Sequence, residues 1–155
     1  MNTNEAVINQ FYSSFQKKDY QSMQACYNEK ATFSDPVFRN LDAKQVRAMW
    51  EMLCKNGKDL SIDFKILSSD KDAITAEWRA NYLFSATGKH VTNIITASFL
   101  IEEGKIISHR DHFNFHKWAS QALGFKGALL GWTSFLKNKV RQQAMKSLNR
   151  FMKER

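Results

Sequence analysis

The residues able to do chemistry fall in two short stretches. In the first, Ala31 to Phe38 (ATFSDPVF), Asp35 closes an apolar, strand-like run directly before Pro36, the only proline of the chain. Either Asp35 opens a turn, a common use of aspartate, or its carboxylate faces a pocket and works as a base. Alternation along the strand sends Asp35 to the side of Ala31 and Phe33, hence inward if Phe33 is core. The second stretch, Ser108 to Trp118 (SHRDHFNFHKW), crowds ionisable groups among aromatics. If Phe113 and Phe115 face the interior, His109 and Asp111 point inward as an acid–base pair, with Arg110, His112 and Asn114 on the other face. His112 and His116 have the spacing of helical metal ligands, but the segment reads as strand through Phe115, so no metal site is expected. Cys26 and Cys54 show no paired spacing and read as buried small hydrophobes.

These groups need a scaffold. Val7, Ile8, Phe11, Tyr12 and Phe15 recur at helical spacing from about Thr3 to Lys17, with Asn4 or Thr3 available as N-cap. A short second helix is expected through Met23 and Tyr27, and then the strand ending at Asp35, which Pro36 closes because it cannot donate to a sheet. A third helix spans roughly Asp42 to Asn56, with Gly57 as its stop. From Leu60 the period becomes two. LSIDFKIL, AITAEWRANYLF, VTNIITASFLI and KIISHRDHFNF, separated by short turns, predict a four-stranded antiparallel meander. Beyond His116 the pattern is helical again, a glycine-punctuated connection (GFKGALLGW) follows, and a last helix carries Phe135, Leu136, Val140, Ala144, Leu148 and Phe151 with a basic back. Helices first and a curved sheet afterwards define an α+β fold with helices over one sheet face.

This order, with ATFSDPV after a helix ending near Asp19 and with Gln121 to Gly124 reading Q-x-L-G, resembles the nuclear transport factor 2-like superfamily. That superfamily contains ketosteroid isomerases, SnoaL-like polyketide cyclases and limonene epoxide hydrolases. The resemblance runs from about Asn4 to Ala122. It implies a cone-shaped, cystatin-like roll with a ligand cavity, a homodimer built through the outer sheet face, and Asp35 at the position of the isomerase base. Near an apolar cavity a carboxyl loses solvation and becomes a more capable base at neutral pH, and carboxyls tuned in this way are what the resemblance to that isomerase implies. The positions of its two oxyanion donors hold Phe11 and Ala97, so any chemistry must recruit other groups, for which His109 and Asp111 are the candidates. Where epoxide hydrolases carry Arg-x-Asp on a strand, this chain has Arg79-Ala80-Asn81.

Phe11, Tyr12, Trp50, Trp78, Tyr82, Phe99 and Phe113 either line the cavity or pack the core. The expected ligand is a small apolar or amphipathic molecule, such as a polyketide- or steroid-like compound, and no cofactor is called for. The alternative is a non-catalytic binding or interaction module of the same fold. At 155 residues and 43% hydrophobic content the chain suits one domain. Residues 1–123 are expected to form it, and residues 124–155 a basic amphipathic extension packed on the domain or on a dimer partner. Most of the net charge of +8 lies between Lys137 and Arg155, so nucleic acid and membrane surfaces are not the expected partners. With no membrane-length apolar run and no leader pattern, a soluble cytoplasmic protein is expected.

Overall fold

The computed structural model describes residues 3–57 and 59–154. The chain forms α1 (Thr3–Gln16), α2 (Tyr20–Ala25), β1 (Tyr27–Ser34), α3 (Ala43–Asn56), β2 (Ser61–Asp70), β3 (Ala73–Phe84), β4 (Lys89–Glu102), β5 (Lys105–His112), α4 (Phe115–Leu123), α5 (Phe125–Leu130) and α6 (Ser134–Lys153). One curved, unclosed sheet runs β1-β5-β4-β3-β2. The strands β2 to β5 form the antiparallel meander, and β1 adds to its edge parallel to β5.

Alternation decides which face is covered. Along β4, Val91, Asn93, Ile95, Ala97, Phe99 and Ile101 are buried, while Ile94 and Leu100 are about half exposed on the outer face. The inner face meets α1 and α3, whose Ile8, Phe11, Tyr12, Phe15, Val46 and Trp50 join Phe33, Trp78 and Phe99 in the main core. The start of α3 is well determined. The Asp42 carboxylate accepts from Gln45 N–H and the Gln45 side chain accepts from Asp42 N–H, a reciprocal box that satisfies two otherwise orphaned donors.

Four local expectations are corrected. Thr3 and Asn4 both lie inside α1, so neither is its N-cap; the preceding residue and Arg155 lie outside the described residues. Tyr27 opens β1 instead of closing the second helix. The last strand stops at His112, because the Asn114 side chain accepts from Lys117 N–H and caps α4, which begins at Phe115. The GFKGALLGW connection contains the helix α5. Its Gly127 packs so closely on α4 that a Cβ there would fall inside the Ala119 carbonyl group, so the glycine is a contact and not a break.

The basic last helix docks on the same chain. Leu148 is fully buried in the main core, and Ala144, Met145, Phe151 and Met152 pack partly against it. Leu136 and Val140 meet a second cluster, built on Val91, Phe115, Trp118, Ala119 and Ala122.

Candidate active site

The site is assembled by the one parallel strand pair. Phe33 lies beside His109 and Ser34 beside Arg110, so the chain leaves β1 with Asp35 alongside Asp111. A turn then fixes the carboxyl. Asp35 Oδ1 accepts from the backbone N–H groups of Val37 (2.7 Å) and Phe38 (2.6 Å), and Asp35 N–H donates to the Phe38 carbonyl at 2.7 Å. The turn role is thus met, and the residue is half-buried at the strand end. Burial pushes the Asp35 carboxyl up to about 7; the Asp111 charge adds to the rise, while the two N–H donors and Arg141 oppose it. Arg141 comes from α6, and its Nε–H donates to the Pro36 carbonyl at 2.9 Å.

Behind Asp111 runs a buried hydrogen-bonded chain. Trp50 Nε1–H donates to the Tyr27 hydroxyl at 2.8 Å, that hydroxyl meets His109 Nδ1 at 2.8 Å, and His109 Nε2 meets Asp111 Oδ1 at 2.9 Å. The ends set its direction. An indole nitrogen can only donate and a carboxylate can only accept, so with Asp111 as carboxylate Nε2–H donates to it, and in the neutral imidazole Nδ1 is then the acceptor of the Tyr27 hydroxyl. The side chains of His109 and Asp111 are 0% and 3% exposed. The His109 ring is caged by Trp50, Tyr27 and Phe99, with Phe33 and Phe11 edge-on. Burial also raises Tyr27 well above the usual phenol range, which keeps its hydroxyl protonated as a donor.

Asp35, His109 and Asp111 are thus brought together as the sequence suggests. The aromatic set divides. Phe11, Tyr12, Trp50 and Phe99 are at most 2% exposed, Trp78 is 7% exposed, and they pack on one another around His109. Tyr82, whose hydroxyl accepts from Trp118 Nε1–H at 2.8 Å, and Phe113 lie at the seam between the two clusters. Two surface cavities of about 700 and 330 Å³ lie against Arg47 and Glu29, and neither is lined by Asp35, His109 or Asp111. Within the core, the Tyr12 hydroxyl and the Trp78 indole N–H are buried with no hydrogen-bond partner. Orphaned donors of this kind are costly unless an acceptor is supplied.

Sequence reasoning missed Tyr27 and Arg141. Tyr27 was hidden by its position at an apparent helix end, and Arg141 by its distance along the chain from Pro36. His112 ends β5 and His116 bonds the Ala128 carbonyl from α4, so the two do not act as a helical pair. Among the described residues no three His, Cys, Asp or Glu side chains come together as a metal site, and no helix is long and apolar enough to cross a membrane. Cys26 and Cys54 are buried and unpaired, with thiols raised to about 11 by burial.

A curved unclosed sheet, helices across its inner face and a carboxyl pair where β1 leaves β5 define the class as the nuclear transport factor 2-like cone. The SnoaL-like domain family matches residues 8–109, and the chain belongs to that family. Solved structures agree on the fold. An LEH-like epoxide hydrolase of Mycobacterium tuberculosis superposes with a TM-score of 0.62 at 16% identity, covering 86% of this chain and 95% of that one. A candidate polyketide cyclase from Xanthomonas campestris pv. campestris gives 0.67 at 15% identity, covering 77% and 96%. A candidate isomerase from Bacillus subtilis gives 0.65 at 20% identity, covering 80% and 96%. At such identities the likeness speaks for the fold alone. No curated protein matches the chain at a significant level.

Proposed function

We propose that the protein binds a small apolar or amphipathic molecule, polyketide- or steroid-like in character, and moves a proton on it with Asp35 as acceptor. The observation that carries this reading is the placement of the Asp35 carboxyl, raised to about 7, beside the Asp111 end of the Tyr27–His109–Asp111 chain. A base titrating near neutrality is at hand in both protonation states. His109 holds Asp111 in place and stabilises its charge. The unpartnered donors of Tyr12 and Trp78 offer a carbonyl or enolate oxygen what Phe11 and Ala97 cannot.

The core around His109 is filled by aromatic rings, and Arg141 of α6 stands over the Pro36 turn, so a ligand gains access when α6 shifts. Phe11, Tyr12, Trp50, Trp78, Tyr82, Phe99 and Phe113 then rearrange to line the space. We further propose a cytoplasmic homodimer. Its contact is the outer sheet face, where Leu67, Leu83, Ile94 and Leu100 are 49–53% exposed. Two unpaired buried cysteines suit a reducing compartment.

The test is deuterium exchange from solvent into a panel of apolar ketones. The native protein should catalyse exchange, and Asp35→Asn should bind the same ketone and leave its protons in place. Exchange at the native rate in Asp35→Asn would sink the reading. The filled core also favours a second one, a non-catalytic module, under which ketones bind without exchange in either protein.

A further inference from the structure

The corner formed by α5 and the start of α6 carries apolar side chains that the fold does not use. Gly127 faces α4 through its contact with the Ala119 backbone. At ~100° per residue, Phe125 and Leu129 then lie about 160° and 200° away from it and point outward. They are 78% and 54% exposed, and Leu130 is 42% exposed. Trp132 in the following turn and Phe135 in the first turn of α6 are 72% and 70% exposed. The Trp132 Nε1–H donates to the Leu129 carbonyl at 2.9 Å, which sets the indole beside Leu129. Five large, exposed apolar groups therefore fall between Phe125 and Phe135 around this corner, a concentration that calls for a cover.

Charge selects the cover. Residues 1–111 hold 14 Lys and Arg against 14 Asp and Glu, whereas residues 112–155 hold nine against one, so the whole excess of +8 belongs to the C-terminal part. Between Asp111 and Glu154 there is no acidic residue. Cations stand among the exposed rings: Lys139 Nζ lies 6.0 Å from the Phe135 ring centroid, Lys126 adjoins Phe125, and the Lys89 side chain rests against Gly124. A second copy placed on this corner would set cations against cations. Nucleic acid would use the lysines and rings, but Leu129 and Leu130 would gain nothing from phosphates or stacked bases. Exposed Trp, Phe and Leu with lysines beside them are what inserts at the boundary between lipid headgroups and acyl chains.

We propose that this corner docks on an anionic lipid bilayer, with Phe125, Trp132 and Phe135 entering the interface and Lys126 and Lys139 meeting the headgroup phosphates. This reverses the sequence expectation for membrane surfaces, because only the structure puts the apolar residues of this segment outside.

The full chain is mixed with vesicles of phosphatidylcholine containing phosphatidylglycerol, or of phosphatidylcholine alone. Of the four tryptophans only Trp132 is exposed, so a blue shift of the emission and its quenching by brominated acyl chains report insertion of this corner. Binding should require the anionic lipid, weaken with salt, and fall about five-fold for Lys126→Gln or Lys139→Gln. Phe125→Ser, an exposed substitution, should lower it about ten-fold or more with an unchanged circular dichroism spectrum. Absence of binding to the anionic vesicles overturns the proposal, as does binding that Phe125→Ser leaves untouched. A dimer in sedimentation equilibrium that Phe125→Ser dissolves would also overturn it, since the corner would then be covered by protein.

Discussion

Replacing Asp35 with asparagine should make the protein more stable at pH 8, and the gain should disappear in acid. Asparagine keeps an oxygen that can accept from Val37 and Phe38 N–H and removes only the charge. The native carboxyl titrates near 7 against an ordinary 3.8, so the folded state holds its proton more tightly than the unfolded chain. At about 1.4 kcal/mol per pKa unit, ionising it in the fold costs at most about 4 kcal/mol. Residual solvent access makes about 2–3 kcal/mol the expected size. Above pH 7 both states are ionised and the native protein carries the full penalty. As the pH falls from 7 towards 4 the folded carboxyl takes up a proton, the penalty is relieved, and the native protein gains on the variant by up to about 1.4 kcal/mol per unit. Urea denaturation of both proteins at each pH, compared as a difference, isolates this one group. Asp35→Ala, which also loses the turn acceptor, should be less favourable than asparagine at every pH. A pH-independent difference, or an asparagine variant weaker than native at pH 8, would refute the claim that Asp35 is a half-buried, destabilising charge.

Tyr27→Phe breaks the chain between Trp50 and His109 and leaves two buried nitrogens without a partner, so unfolding free energy should fall by about 2–4 kcal/mol in denaturant titration. Leu148→Ala should cost about 2–5 kcal/mol if α6 is part of the core; a loss under ~1 kcal/mol would show that the helix is only appended. Gly127→Ala places a methyl group in the Ala119 backbone, and should free α5 from α4, visible as faster amide exchange in residues 125–131.

The sequence made the meander legible because β2 to β5 alternate with period two and are separated by short polar turns. Asp35 was legible because a carboxylate before the sole proline leaves the strand in a fixed direction. His109 and Asp111 followed from the same alternation. Where physics is non-local the reading stopped. Tyr27 begins a strand whose first residues, Asn28 to Lys30, are polar and whose pairing with β5 shifts register before Thr32, so nothing in its neighbours separates it from the end of α2. Arg141 reaches Pro36 across 105 positions, a contact no local pattern encodes. At Gly127 and Gly131 a punctuation rule misread residues that are small so that helices can touch. Whether Phe11, Tyr12 and Trp50 pack or line a space depends on total volume, which spacing does not carry.

The parallel pairing of β1 with β5 also has a temporal meaning. Tyr27 and His109 stand 82 positions apart, and every antiparallel hairpin of the meander closes a far shorter loop. Loop-closure entropy favours those hairpins first and this pairing late. During synthesis Asp35 emerges long before β5, so it is at first an ordinary, solvated carboxylate. Only when the last strand locks in does it acquire Asp111 as its neighbour, so its raised proton affinity is withheld until the fold is essentially complete.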